Sequence, residues 1–130
     1  MNVEALYIKT GGDYAGAIHL FQTDERIMKY LKIMQNDTNL DVVCKALPQN
    51  DYETAFCAAH TIKGLALNMH LTALANKAGT LTELLRSRQA HEDILPLLAE
   101  VKQTYQTLMD CMENGLKSTT ERSLECETAK

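Results

Sequence analysis

Three residues whose types belong together in chemistry lie close in one stretch, "CAAHTIKGLALNMH": His60, Lys63 and Gly64. An imidazole that faces solvent is a nucleophile in its neutral form. An ammonium one helical turn away neutralises charge on a phosphoryl group attached to such a ring. Glycine inside a helix costs about 1 kcal/mol relative to alanine, so Gly64 calls for a reason. Bare backbone at that point lets another protein's main chain come close.

The helix that must carry these residues has two distinct sides. Steps of about 100° per residue put Ala58, Ile62, Leu65 and Met69 on one of them, flanked by Ala55 and Ala66. Glu53, Phe56, His60, Lys63, Gly64 and Leu67 fall on the other. The apolar side is a core stripe, so the chemical set is predicted to point away from the core. Phe56 and Leu67 straddle the histidine, with Cys57 beside it, and exposed apolar side chains there suit the docking of a partner. A competing reading takes Cys57 and His60, three apart on one helical side, as metal ligands with His19, His70 or His91. Helical metal bundles supply Glu-x-x-His pairs and inward glutamates, and zinc modules have their own Cys/His spacing. This chain has neither pattern, so no metal site is expected.

The rest of the chain bounds what such a helix can belong to. Its 130 residues, 45% of them apolar, suffice for a single domain with one hydrophobic core. A net charge of −4 argues against nucleic-acid binding through the whole surface and gives no pull toward membranes. Apolar runs are too short to span a bilayer, and the start "MNVEALYIKTGG" lacks the basic and apolar blocks of a signal peptide. Cys44, Cys57, Cys111 and Cys126 form no CxxC pair and read as reduced thiols of a cytoplasmic protein.

Helical periodicity runs through nearly the whole sequence, and period-two strand patterns are missing. "MNVEALYIKT" and "DYAGAIHLFQ" are predicted as two short helices, the second capped by Asp13. From Thr23, Ile27, Leu31 and Met34 share a face; after "QNDTN" the stripe resumes with Leu40, Val43 and Leu47. Thr38 and Asp41 form a candidate capping pair there, giving one kinked helix or two in tandem. Asn50 and Glu53 read as a capping box for the next helix, which runs to about Met69. Another follows with Leu71, Leu74, Ala78, Leu81 and Leu85 on one stripe, and the last begins near "DILPLL" and is expected to stop at Gly115. The expected architecture is all-α: an antiparallel up-down four-helix bundle over residues 1–117, capped by the short N-terminal helices. Residues 118–130 are expected to be a disordered tail.

"AHTIKG", Ala59 to Gly64, resembles the HxxKG core motif of histidine-containing phosphotransfer (HPt) domains. The likeness extends from about Gly11 to Met112. "GGDYAGAIHLFQTDERIMKYLKIM" is similar to the N-terminal cap and first bundle helix of the small stand-alone bacterial members. "ALPQNDYETAFCAAHTIKGLALNM" is similar to the turn and phosphoacceptor helix, and "LTALANKAGTLTELLR" to the helix that follows. The resemblance implies that His60 takes the phosphoryl group, Lys63 stabilises it and Gly64 leaves room for it and its donor. Two positions depart from the family pattern. His70 stands where many members have a glycine, which implies a differently built turn. Thr82 stands where a longer glutamine or glutamate often hydrogen-bonds the histidine ring, so Thr82 is the candidate for orienting the ring.

What the resemblance implies is a relay between His60 and aspartates of response-regulator receiver domains, fed by a hybrid sensor histidine kinase. Mg²⁺ would be held by the receiver, and this chain would bind no cofactor. No Gly-rich phosphate loop, Walker sequence or kinase ATP site is present, so such a protein would pass phosphate on without drawing it from ATP. Met1 suggests a complete stand-alone protein, the other reading being a domain excised from a hybrid kinase. A monomer is expected, since a shared docking face must stay open. The alternative to a relay is the same bundle acting as an interaction-only module, docking receiver or kinase domains without being phosphorylated.

Overall fold

The computed structural model describes the backbone of residues 3–121 and the side chains of residues 3–113. Among the described residues the chain is entirely helical, with seven α-helices: α1 (Val3–Lys9), α2 (Tyr14–Phe21), α3 (Asp24–Gln35), α4 (Asn39–Ala46), α5 (Tyr52–Asn68), α6 (Thr72–Leu85) and α7 (Ile94–Glu121). The most extensive packing is of α5 on α6, followed by α4 on α5 and α6 on α7. The expected stripes form the core: Ile27, Leu31 and Met34 of α3 are buried, as are Leu74, Ala78, Leu81 and Leu85 of α6.

Caps explain where the helices start, and they correct three details. Asp13 and Thr23 do cap α2 and α3, accepting from the amides of Gly16 and Arg26 at 3.1 Å each. Between α3 and α4 the chain breaks into two helices, yet Thr38 makes no side-chain cap bond. Asp37 takes that part, its carboxylate accepting from the Asn39 amide at 3.0 Å and from Asn39 Nδ2 at 2.8 Å. Asn50 does not cap α5 either. It adopts a left-handed backbone (φ 58°) that closes a 3-10 turn at Leu47–Gln49, and the cap is Asp51, which accepts from the Thr54 amide at 3.1 Å. The last helix continues through Gly115 to Glu121. Glycine ends a helix only where the chain turns left-handed; inside a helix it merely weakens it. The rest of the expected tail, with Cys126, lies outside the described residues.

One end of the bundle is closed by the N-terminal helices. Asp13 N–H donates to the His70 carbonyl at 2.8 Å and Ala73 N–H to the Gly11 carbonyl at 3.1 Å, stitching the α1–α2 turn to the α5–α6 turn. His70 takes the left-handed backbone (φ 58°) that glycine favours, so this turn is not built around the missing glycine but in spite of it. Its amide donates to the Leu67 carbonyl, and the Leu71 amide reaches back to Ala66 at 2.9 Å, the Schellman pattern that satisfies the last carbonyls of α5.

Beneath this stitching lies Tyr7, fully buried, whose hydroxyl donates to the Met69 carbonyl at 2.7 Å. Tyr7→Phe is therefore expected to cost about 1 kcal/mol, because a buried carbonyl loses its donor. Urea melts of the two proteins check this; equal stability would mean that water replaces the hydroxyl.

Candidate functional site

Helix α5 is the element on which the site is built, and its sidedness follows the spacing except at Leu65, which was expected on the core stripe and is only half-buried. Ala55, Ala58, Ile62, Ala66 and Met69 are buried against α4 and α6, joined by Ala59. Small alanines on this side let α5 lie close to its neighbours. On the other side His60 and Cys57 are exposed, while Phe56, Lys63 and Gly64 are half-exposed. Leu67 keeps 54% of its surface in solvent, two turns along from His60.

Gly64 faces open space. A Cβ built there would have no heavy atom within 4 Å, apart from its own chain neighbours and helix backbone. No packing contact requires a glycine at this position. Lys63 bends toward α6: its Cδ and Cε pass 3.6 and 3.7 Å from where a Cβ on Gly79 would stand. Its charge also helps to hold the Glu83 carboxyl below the usual carboxylate range, although the Arg86 guanidinium is the larger cause. Arg86 forks that carboxylate with bonds of 3.0 and 2.9 Å.

Thr82 is not brought to the site. It is fully buried, and its hydroxyl donates to the Ala78 carbonyl one turn back at 2.7 Å. A side chain this short, placed on the inner side of α6, satisfies itself within its own helix. Among the described residues the His60 ring has no hydrogen-bond partner.

An aromatic ring stands beside the imidazole instead, and an arginine covers that aromatic. Phe56, one turn before His60, has its ring nearly parallel to the imidazole, at 6° and 6.1 Å between centroids. Over the Phe56 ring lies the guanidinium of Arg88, 4.1 Å from the centroid, with Arg86 further out at 5.3 Å. Arg88 is itself held. Its Nε donates to Glu53 Oε1 at 2.7 Å, one terminal nitrogen to Glu53 Oε2 at 3.3 Å and the other to the Arg86 carbonyl at 2.7 Å. These hydrogen bonds, with the charge of Arg88, hold the Glu53 carboxyl below its ordinary range.

Spacing along α5 had placed Glu53 and Phe56 on this face, but not the arginines. The available signal was "RSR", two cations one residue apart immediately after α6. Cys57 Sγ lies 3.7 Å from Glu53 Oε2, at the rim of the same cluster. The other described histidines lie elsewhere: His19 near the end of α2, His70 in the α5–α6 turn and His91 in the loop before α7. Among the described residues no three His, Cys, Asp or Glu side chains gather as metal ligands, and no helix is long and apolar enough to cross a membrane.

The arrangement presents one exposed imidazole with Lys63 one turn along its helix and two arginines over the neighbouring Phe56, each arginine paired with a carboxylate. Such a ring can accept an electrophile, and the cations favour one that carries negative charge. The model of the Hpt domain family matches residues 32–114, from inside α3 to inside α7, so that α4, α5 and α6 are taken in whole. No curated protein and no solved structure matches the chain.

Proposed function

Because this chain belongs to the Hpt domain family, we propose that it relays a phosphoryl group between His60 and receiver-domain aspartates. The observation that carries this reading is the exposed His60 with Lys63 and the open Gly64 on one face of α5, inside the matched residues. The fold it implies is an antiparallel bundle of four arms: α3 with α4 in tandem, α5, α6 and α7, capped by α1 and α2. The short turns between α4 and α5 and between α5 and α6 support that arrangement.

In the proposed step a ring nitrogen of His60 attacks the phosphorus of a phosphoaspartate in line. The N–P bond forms as the P–O bond breaks, and the electron pair of that bond stays on the aspartate carboxylate. Mg²⁺ belongs to the receiver. This chain contributes position and charge: Lys63 faces the transferring group and offsets its oxygens, which is most of what phosphoryl transfer asks of a protein. Phe56, Cys57 and Leu67 are the docking residues around the ring, Gly64 is the point of close approach, and the protein acts as a cytoplasmic monomer fed by a hybrid kinase. An interaction-only bundle is the second reading, favoured by the burial of Thr82, which leaves the ring without the partner usual in the family.

Gly64 provides the test. With open space at its Cβ position, Gly64→Ala is expected to raise stability by up to about 1 kcal/mol, while Gly64→Gln slows transfer from a phosphorylated receiver by roughly tenfold or more, the equivalent of ~1.4 kcal/mol. Melting curves beside transfer assays check both. Early melting of both variants would make Gly64 a packing residue, and binding of the receiver by the wild-type protein without any transfer would favour the interaction-only module.

A further inference from the structure

We propose that Phe56, clamped by Arg88 and Glu53, sets the plane of the His60 ring in place of a hydrogen-bonding side chain from α6. The proposal rests on the reading of His60 as phosphoacceptor.

A nucleophile on an exposed helix face needs something to fix its orientation, because an unheld side chain moves among rotamers and spends little time aimed at the donor. Thr82 does not supply this. Among the described residues the aromatic ring paired with the imidazole is that of Phe56, and the near-parallel planes and 6.1 Å separation are within the range of offset aromatic pairs. A stacking partner has a chemical advantage here. The lone pair that attacks phosphorus lies in the plane of the imidazole, so contact on its face steers the ring while both nitrogens stay free. A hydrogen bond to a ring nitrogen would engage one of them.

Phe56 is only half-buried and would itself be free to turn without a second support. Arg88 gives it one. The guanidinium covers the Phe56 ring at 4.1 Å and is fixed from its edge by both oxygens of Glu53 and by the Arg86 carbonyl. Glu53 lies on α5 itself, one turn before Cys57. The clamp therefore begins and ends on the helix that carries His60, with Arg88 reaching in from the loop after α6. Arg88 holds a left-handed backbone (φ 55°), an unfavourable state for a residue with a Cβ, and its side-chain bonds to Glu53 and Arg86 accompany that conformation. Arg88 and Glu53 are thus positioning residues, acting on His60 through Phe56.

The experiment uses the full chain and its Phe56→Leu, Phe56→Tyr and Arg88→Gln variants. Two readouts are needed: the carbon-bound proton resonances of the His60 ring, and the rate of phosphorylation by phosphoramidate. In that reaction a ring nitrogen of His60 bonds to phosphorus as the P–N bond of the donor breaks and ammonia leaves. No receiver docks, so the rate reads the ring alone. Phe56→Leu is expected to move the His60 resonances by removing the ring current, and to slow phosphoramidate reaction by roughly threefold to tenfold. Phe56→Tyr restores both, and Arg88→Gln changes both in the same direction as Phe56→Leu. Should Phe56→Leu fold poorly, Arg88→Gln, which changes an exposed loop residue, carries the test. Unmoved His60 resonances, or an unchanged phosphoramidate rate beside weaker receiver binding, overturn the proposal and leave Phe56 as a docking residue only. A wild-type chain that takes phosphate from neither donor instead sinks the phosphoacceptor reading, while the resonances still decide the stack.

Discussion

His60→Gln is expected to abolish phosphate uptake from a phosphorylated receiver and to leave the bundle standing. Glutamine keeps a polar side chain of similar reach but has no nucleophilic ring nitrogen. The side chain at this position is exposed on α5 and makes no hydrogen bond among the described residues, so stability should change by no more than about 0.5 kcal/mol. The remaining described histidines cannot take over. His70 is half-buried, with Nδ1 3.6 Å from Asp13 Oδ2, and His91 accepts the Asp93 amide at 3.0 Å through its own Nδ1. His19 is exposed, but it lies on α2 and not on the α5 face that carries Lys63 and Gly64. Label counted on the wild-type and variant chains after incubation with the receiver checks this. Label retained by the variant would move the phosphoacceptor to another residue.

Lys63→Ala is expected to slow transfer by about tenfold or more. A hydrogen bond to a charged group is worth roughly 1.5–3 kcal/mol, and each 1.36 kcal/mol is tenfold in rate. The loss should fall on the rate of the chemical step more than on receiver affinity, since the phosphoryl charge is met during transfer. Removing the stem that lies along Gly79 strips one contact from a half-exposed side chain, so the fold should be little affected. Lys63→Arg keeps the charge and should recover part of the rate. Single-turnover transfer at saturating receiver, measured for all three proteins, decides the matter. Equal rates would make Lys63 a solvated surface residue whose partner is Glu83.

What the sequence makes legible here follows from what is local. The two sides of α5 could be read from spacing alone, because 3.6-residue geometry fixes which side chains share a side: Ala55, Ile62 and Ala66 are buried, and His60 is exposed. The caps were legible only to within a residue. Asn50 and Asp51 are both good capping types, and the choice was made by backbone angles, Asn50 turning left-handed to close the preceding 3-10 turn. At Thr38 a side chain with equal capacity lost to Asp37 for the same kind of reason. Gly115 could stop a helix or continue one, and no neighbouring residue type distinguishes the two.

The support of the ring was the part that spacing could not reach. Resemblance pointed to Thr82 by its position on α6, but its hydroxyl is too short to leave the core and bonds to Ala78. Arg88 is far from His60 in sequence and lies on a loop, outside any helical periodicity. Its place over Phe56 depends on how the α6–α7 connection folds back on the start of α5. The same holds for His70, whose left-handed backbone is set by the turn it closes rather than by its own preference.

The central claim is that His60 carries a phosphoryl group on a ring nitrogen. The most direct measurement is to incubate the wild-type chain with a phosphorylated receiver and Mg²⁺, separate it, and divide it between acid and alkali before mapping the phosphate to a peptide. A phosphate lost in acid, kept in alkali and found on the peptide that contains His60 is the predicted result. A receiver that binds this chain yet keeps its phosphate, or a phosphate on any other residue, would contradict it.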